Sequence, residues 1–221
     1  GTPVLGFPRY QGGPQAAPIR ALEFETEDGR GIIRSEWSVN TLFGIPEDEL
    51  SGDLLLDYYF DRGPAVGTDL SWSDERSLGE IFAFYINDQG RDLLTSGARI
   101  DAPQRDRGMI LAEHRWDIDD EWTLSLEGAW VSDERFVDAF FEGLAETRRE
   151  FTNSAFLQRT TDRSALSFEA RGSFNDFTPN EYLMQSQGFQ VERLPEARYM
   201  RIGDSLFDNA LTYTSETSVA R

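Results

Sequence analysis

From Ile19 onward, apolar and polar residues alternate with a period of two, the spacing that sends successive side chains to opposite faces of an extended strand. The clearest run is Asp53 to Asp61, where Leu54, Leu56, Tyr58 and Phe60 alternate with Asp53, Asp57, Tyr59 and Asp61. Val66, Thr68, Leu70 and Trp72 then alternate with Gly67, Asp69 and Ser71. Arg62-Gly63-Pro64 makes a tight connection between the two runs, so the pair predicts an antiparallel hairpin. The pattern recurs in Leu78 to Asn87 (Phe82, Phe84 and Ile86 on one side), Thr123 to Val131 (Leu124, Leu126, Trp130) and Ser164 to Arg171 (Leu166, Phe168, Ala170). Ile32 to Asn40 and Gly108 to Ile118 carry it less cleanly. Turn residues separate the runs at 27–31, 87–90, 119–121 and 161–163. The reading is roughly ten strands in an all-β, antiparallel, up-and-down arrangement.

Three segments break the rhythm. Residues 1–18, with Pro3, Pro8, Pro14, Pro18 and a Gly12-Gly13 pair, read as a connector. Arg91 to Arg107 is a polar loop long enough to be functional. Asp133 to Glu150 places Phe136, Phe140 and Leu144 four apart, with Val137 and Phe141 beside them, which predicts one short amphipathic helix inserted between strands.

Alternating strands with a greasy face and an acidic one have two solutions. A soluble sandwich or barrel buries the greasy faces against each other. A membrane barrel turns them to lipid and lines a wet lumen with the polar ones, closing on itself because unpaired backbone groups are costly in lipid. Aromatic residues near strand ends (Tyr58, Tyr59, Trp72, Trp116, Trp122, Trp130) and mid-strand charges opposite the apolar rows (Asp57, Asp69, Glu127, Glu169) suit the membrane, though a solvated sandwich face accommodates both.

Composition narrows the classes. The chain has 221 residues and a formal charge of −19, and its 21 basic residues are all arginine, so nucleic acid is not an expected partner. No apolar run approaches the length of a transmembrane helix, and 13% aromatic residues is too rich for a disordered acidic tail. The absence of cysteine removes thiolate chemistry and cysteine-ligated zinc. The N-terminal Gly1 and a C-terminus falling within a strand-like run suggest a segment of a longer protein.

Candidate catalytic chemistry is sparse. His114 is the single histidine and reads as a strand-facing, non-catalytic residue, so neither a Ser-His-Asp site nor a two-histidine metal site is expected. Asp117, Asp119, Asp120 and Glu121 lack the glycine and glutamate spacing of a calcium loop and read as a turn. Asp53, Asp57 and Asp61 share a strand face, but neighbours four apart stand about 13 Å from one another, too far to act as paired acid and base. Gly63 to Gly67 leads into a strand and not into a helix, so it is no phosphate loop. The expectation is a non-enzyme without metal or cofactor.

Several stretches resemble one family in order and spacing. Pro3-Val4-Leu5-Gly6-Phe7-Pro8-Arg9-Tyr10 is similar to the join between a periplasmic β-jellyroll and a barrel, and Asp57 to Gly67 to an early hairpin of that barrel. Arg105-Asp106-Arg107-Gly108 with Glu113-His114-Arg115, Val131 to Phe136 with Phe140-Phe141, Phe174-Asn175-Asp176-Phe177 and Val191 to Glu196 continue the series. Together they resemble the LptD, or organic solvent tolerance, family of outer-membrane LPS-assembly proteins.

The resemblance implies a part of a transmembrane outer-membrane β-barrel (residues 19–221) after a jellyroll connector (residues 1–18), in a Gram-negative bacterium. It implies lipopolysaccharide as cargo, inserted into the outer leaflet through a lateral seam, with outer-membrane lipid, an LptE-like plug lipoprotein and an LptA-like periplasmic bridge as partners. If the first barrel strand lies near Ile19 to Thr26, then Pro14, Pro18, Ile19 and Leu22 lie at the seam, where proline weakens strand pairing. Asp53, Asp57, Asp61, Asp69, Glu127 and Glu169 are the expected lumenal polar residues. The alternatives from the residues alone are a soluble all-β carbohydrate-binding module and a small complete porin.

Overall fold

A computed structural model describes residues 18–27, 30–93, 98–147, 150–175, 177, 193–207 and 210–220. In chain order the elements are β1 (Ile19–Glu27), β2 (Arg30–Ser38), α1 (Val39–Phe43), β3 (Ser51–Tyr59), β4 (Gly63–Ser73), β5 (Ser77–Asn87), β6 (Arg91–Leu93), β7 (Arg99–Asp101), β8 (Asp106–Asp117) and β9 (Trp122–Val131). They continue with α2 (Phe136–Phe140), α3 (Glu142–Glu146), β10 (Asn153–Thr160), β11 (Ser164–Gly172), β12 (Arg193–Leu206) and β13 (Leu211–Ala220). Eleven strands form one sheet in chain order, each antiparallel to the next, and β6–β7 is a separate hairpin set between β5 and β8. The all-β, antiparallel, up-and-down expectation holds. The sheet is open, with β1 and β13 as its edges.

The two ends of the sheet differ. At one end the strands turn tightly, at residues 74–76, 118–121 and 161–163. Asp74 Oδ1 accepts the amides of Arg76 and Ser77 at 2.8 Å each, and Asp119 Oδ1 accepts those of Glu121 and Trp122 at 2.8 Å each. These are turns closed by a carboxylate in place of a backbone carbonyl. At the other end the β3–β4 turn is short, residues 60–62, but two connections are long, at residues 88–105 and 132–152. The β2–β3 connection, at the tight-turn end, holds α1, capped by Ser38 Oγ on the Thr41 amide (3.2 Å) and ended by Gly44 in the left-handed region (φ 66°).

Register assigns the side chains to faces. One face carries Leu22, Leu56, Val66, Ile110, Leu126 and Phe168. The other carries Asp53, Asp69, Phe84, Met109, Glu113 and Glu127. The second face is itself divided. Towards the long connections, Ile32, Tyr59, Ala65, Phe84, Ile86, Met109, Leu111, Ala129 and Val131 are buried beneath Phe136, Val137 and Ala145 of α2 and α3, and this is the core. Towards the tight turns, Asp53 faces Asp69, and Glu113 faces both Glu80 and Glu127.

Several expectations change. Asp133 to Glu150 contains two five-residue helices, joined at Phe141, and not one. Arg91 to Arg107 contains the β6–β7 hairpin and the start of β8. Phe82, Phe84 and Ile86 share the periodicity of the apolar rows but stand on the carboxylate face, where α2 and α3 cover them. β3 ends at Tyr59, so Phe60 and Asp61 belong to the turn into β4.

The β9–β10 pairing stops at Glu127 opposite Ser154. Beyond it, side-chain amides replace the strand. Asn153 accepts from the Ala129 amide (2.8 Å) and donates to its carbonyl (3.2 Å), and Asn175 Oδ1 accepts from the Val131 amide (3.1 Å). Buried backbone groups are thus satisfied while the chain after β9 is released to cross the core face.

Candidate functional site

The first face is exposed although it is apolar. Leu22, Phe24, Leu56, Tyr58, Val66, Tyr85, Ile110, Trp116, Leu126, Trp130, Phe168 and Tyr199, drawn from β1 through β12, are each between 40% and 47% exposed. A soluble monomer rarely leaves a contiguous apolar patch of more than a few hundred Å² in water. Trp72 lies over Gly79 and stacks near His114, with ring centroids 5.6 Å apart, so the histidine is part of this face's aromatic rim.

The predicted polar residues fall mainly on the opposite face. Asp53 sits directly opposite Asp69 and is met by Arg20 Nε at 3.1 Å. Asp57 accepts the Ser35 amide at 3.3 Å, Glu127 lies between Glu113 and Ser154, and Glu169 lies opposite Glu196. Asp61 is separated from them, exposed in the β3–β4 turn. The structure therefore assembles five of the six carboxylates on one sheet face but spreads them over many strands. No group of three or more carboxylate or histidine side chains able to hold a metal ion occurs among the described residues. No helix among the described residues is long and apolar enough to cross a membrane, which says nothing about crossing by strands.

Of the seam residues, Pro14 lies outside the described residues, as do the stretch 3–10 and positions 191–192. Pro18 accepts the Ser38 amide on its carbonyl (2.7 Å) and leads into edge strand β1. Ile19 pairs with Trp37, the ladder slips by one residue between Ile19 and Ala21, and Leu22 pairs with Ser35 on the exposed apolar face. Arg20, displaced by that irregularity, reaches across β2 to Asp53 and to Glu47 at 3.5 Å.

A constellation that pattern reading did not assemble lies under the cap formed by α2 and α3. Arg107 is fully buried; its Nη1 donates to Asp88 (2.7 Å) and Asp92 (2.8 Å), while Nε and Nη2 grip both oxygens of Asp133 at 2.8 and 2.9 Å. Arg62 donates to the same Asp88 (2.7 Å) and Asp92 (3.0 Å) and to the Arg91 carbonyl (2.8 Å). Asp92 Oδ2 has no hydrogen bond, and Arg135 Nη1 stands 3.9 Å from it. The Phe140 ring lies over both guanidinium groups, at 4.7 Å from Arg62 and 5.3 Å from Arg107, and Phe136 covers Arg107 at 5.7 Å.

These charges come from the turn after β3, the start of β8 and the two long connections. Arg62, Arg107 and Asp133 each belong to a different one of the family-like stretches, which converge here. The available signal was the repeated Asp-Arg-Gly at 61–63 and 106–108 with Gly-Arg-Asp at 90–92.

A family model described as LptD: LPS transport system D matches residues 105–220. The match takes in β8 to β13 and the whole cap, with Arg107 and Asp133 inside it. No curated protein matches the chain.

Proposed function

The chain belongs to the LptD family, outer-membrane components of LPS transport and assembly in Gram-negative bacteria, and from that premise we propose that residues 19–221 are part of a transmembrane barrel wall. Its exposed apolar face meets lipid and its acidic face a hydrated interior. The observation that carries this reading is the apolar face itself, exposed from β1 to β12, on a sheet whose other face carries carboxylates towards the tight turns. The two longest connections, at residues 88–105 and 132–152, leave the same end of the sheet, which supports reading that end as the external one. Residues 1–18 act as the connector from the periplasmic jellyroll.

LPS passes along this wall and leaves sideways at a seam that includes β1. Pro14 and Pro18 limit backbone pairing there, and the slipped ladder at Ile19 makes the strand easier to part. Leu22 faces the acyl chains at the opening. The carboxylates Asp53, Asp57, Asp69, Glu127 and Glu169 keep the interior hydrated and receive an LptE-like plug, while an LptA-like bridge delivers cargo from the periplasm. Asp61, in an external turn, belongs to the rim.

The test is charge reversal in the full-length protein. Asp69→Arg with Glu127→Arg reduces co-purification of the plug lipoprotein and the LPS reaching the cell surface. Unchanged plug binding and unchanged surface LPS together contradict the assignment of this face.

A further inference from the structure

We propose that the apolar face carries a site for one membrane lipid: a groove between β3 and β9 takes an acyl chain of an outer-leaflet glycolipid, and Arg105 at its mouth meets a headgroup phosphate. The proposal rests on the transmembrane reading above and on the long-connection end being external. Register lays one row of side chains across five strands of the apolar face, Leu54, Thr68, Ala83, Ile110 and Trp130. Thr68 and Ala83 are short, and the members on either side of them are long. In the next row outward, Val66 and Tyr85 are followed by Gly108, which has no side chain. The result is an open groove of about 380 Å³, floored at Thr68, Ala83 and Gly108. That volume falls in the range of small-ligand pockets, about 300–1,000 Å³.

The lining is almost entirely hydrocarbon, which suits a methylene chain. In a bilayer every chain is already out of water, so the groove selects its occupant by wall contact and by the groups at its mouth. Directly outward on the same face, Asp106 pairs with Asn87. Asp106 Oδ1 accepts from the Tyr85 hydroxyl at 2.7 Å and from Asn87 Nδ2 at 3.1 Å, which holds the Tyr85 ring upright as one wall. The same carboxylate and amide offer partners to sugar hydroxyls. Arg105, the adjoining residue, is exposed and brings a guanidinium, whose fork fits phosphate oxygens. A phosphorylated, acylated glucosamine of the kind LPS carries has both kinds of group. The groove starts at β3, two strands from the edge strand β1, and lies towards the long-connection rim, in the leaflet that receives LPS. A lipid released at the seam therefore reaches it by lateral diffusion along the wall.

The test uses the full-length protein in its own outer membrane, with a photoreactive diazirine analogue of leucine placed singly at Ile110 or at Leu56. Ile110 is a groove wall, and Leu56 lies on the same face beyond the Val66 wall. After irradiation, LPS adducts are read by immunoblot and phospholipid adducts by mass spectrometry. LPS adducts at Ile110 exceed those at Leu56 at least fivefold. Ala83→Trp, which fills the floor, and Arg105→Glu, which reverses the charge at the mouth, each bring Ile110 down to the Leu56 level. Arg105→Glu lies on the exposed rim and keeps the test decisive if Ala83→Trp fails to fold. Equal LPS adducts at the two positions, an Ile110 yield that neither substitution changes, or phospholipid in place of LPS at Ile110 overturns the proposal. Crosslinks to protein and to no lipid at both positions refute the transmembrane reading itself.

Discussion

Replacing Arg107 by methionine keeps most of the side-chain volume and removes a charge that nothing nearby can supply. Four hydrogen bonds of 2.7–2.9 Å are lost, and Asp88, Asp92 and Asp133 are left with Arg62 as the one cation within 3.0 Å of any of them. Removing one member of a buried ion pair costs about 3–5 kcal/mol, because the remaining charge keeps its desolvation penalty and loses its compensation. The contact with the Phe136 and Phe140 rings adds at most about 2 kcal/mol, and the two losses are not additive. We expect a loss of about 4 kcal/mol, within that same range.

The assay is equilibrium urea unfolding of the full-length protein in lipid vesicles, followed by tryptophan fluorescence. The control is Arg115→Met, whose partner Asp117 lies at 3.3 Å with both side chains about half exposed (56% and 42%). That pair is worth less than about 1 kcal/mol. A second comparison, Arg107→Met with Asp133→Leu, costs less than the sum of the single changes because the stranded carboxylate is gone. If Arg107→Met costs no more than Arg115→Met, the buried cluster is not a structural pin and the reasoning fails.

Other consequences are open to measurement. Leu126→Arg, on the exposed apolar face, lowers stability by about 2–4 kcal/mol in bilayers, whereas Ser125→Arg, one residue away on the other face, is tolerated; equal effects would show that the faces are not distinguished by lipid. Gly108→Ala destabilises by about 1–3 kcal/mol, because a Cβ there presses on the Phe84 carbonyl oxygen, and a neutral urea midpoint would contradict this. The carboxyls of Asp74 and Asp119 are held below the ordinary aspartate range chiefly by the backbone amides they accept, from Arg76 in one turn and Glu121 in the other. Their contribution is therefore complete above the unfolded value of about 3.9 and is lost only as pH falls through the lowered folded values. Amide exchange at Arg76, Ser77, Glu121 and Trp122 should stay slow down to about pH 4 and quicken below it; quickening that begins near neutrality would refute the assignment.

Much of the sheet was readable because β3, β4, β9 and β11 carry apolar residues on one face and polar or small ones on much of the other, so the alternation shows both strand and side. β5 is different. Phe82, Phe84 and Ile86 point into the core while Ile81, Ala83 and Tyr85 point out, so both faces are apolar and periodicity cannot say which is which. The carboxylates were placed on a common face by parity alone, and Asp61 escaped it because the strand ends two residues earlier.

The buried cluster was illegible for another reason. Asp88 and Asp92 flank a Gln-Gly turn and look solvated, and their partners Arg62 and Arg107 stand 15 to 30 residues away. The pairing of β4 with β5 and of β5 with β8 brings these four together, and the chain's return across the core face lays Phe140 over both guanidinium groups. The family-like stretches, short when taken singly, gain their meaning from that convergence.

The central claim is that one face of this sheet meets lipid and the other water. Nitroxide labels placed singly at Leu56, Leu126 and Phe168, and at Glu80, Ser125 and Glu127, in the full-length protein in bilayers test it by collision with oxygen and with a water-soluble nickel complex. The account predicts oxygen-dominated collisions at the first three positions and nickel-dominated collisions at the other three. Labels at Leu56, Leu126 and Phe168 that are shielded from both reagents would mean that protein covers this face, and the barrel-wall account would be wrong.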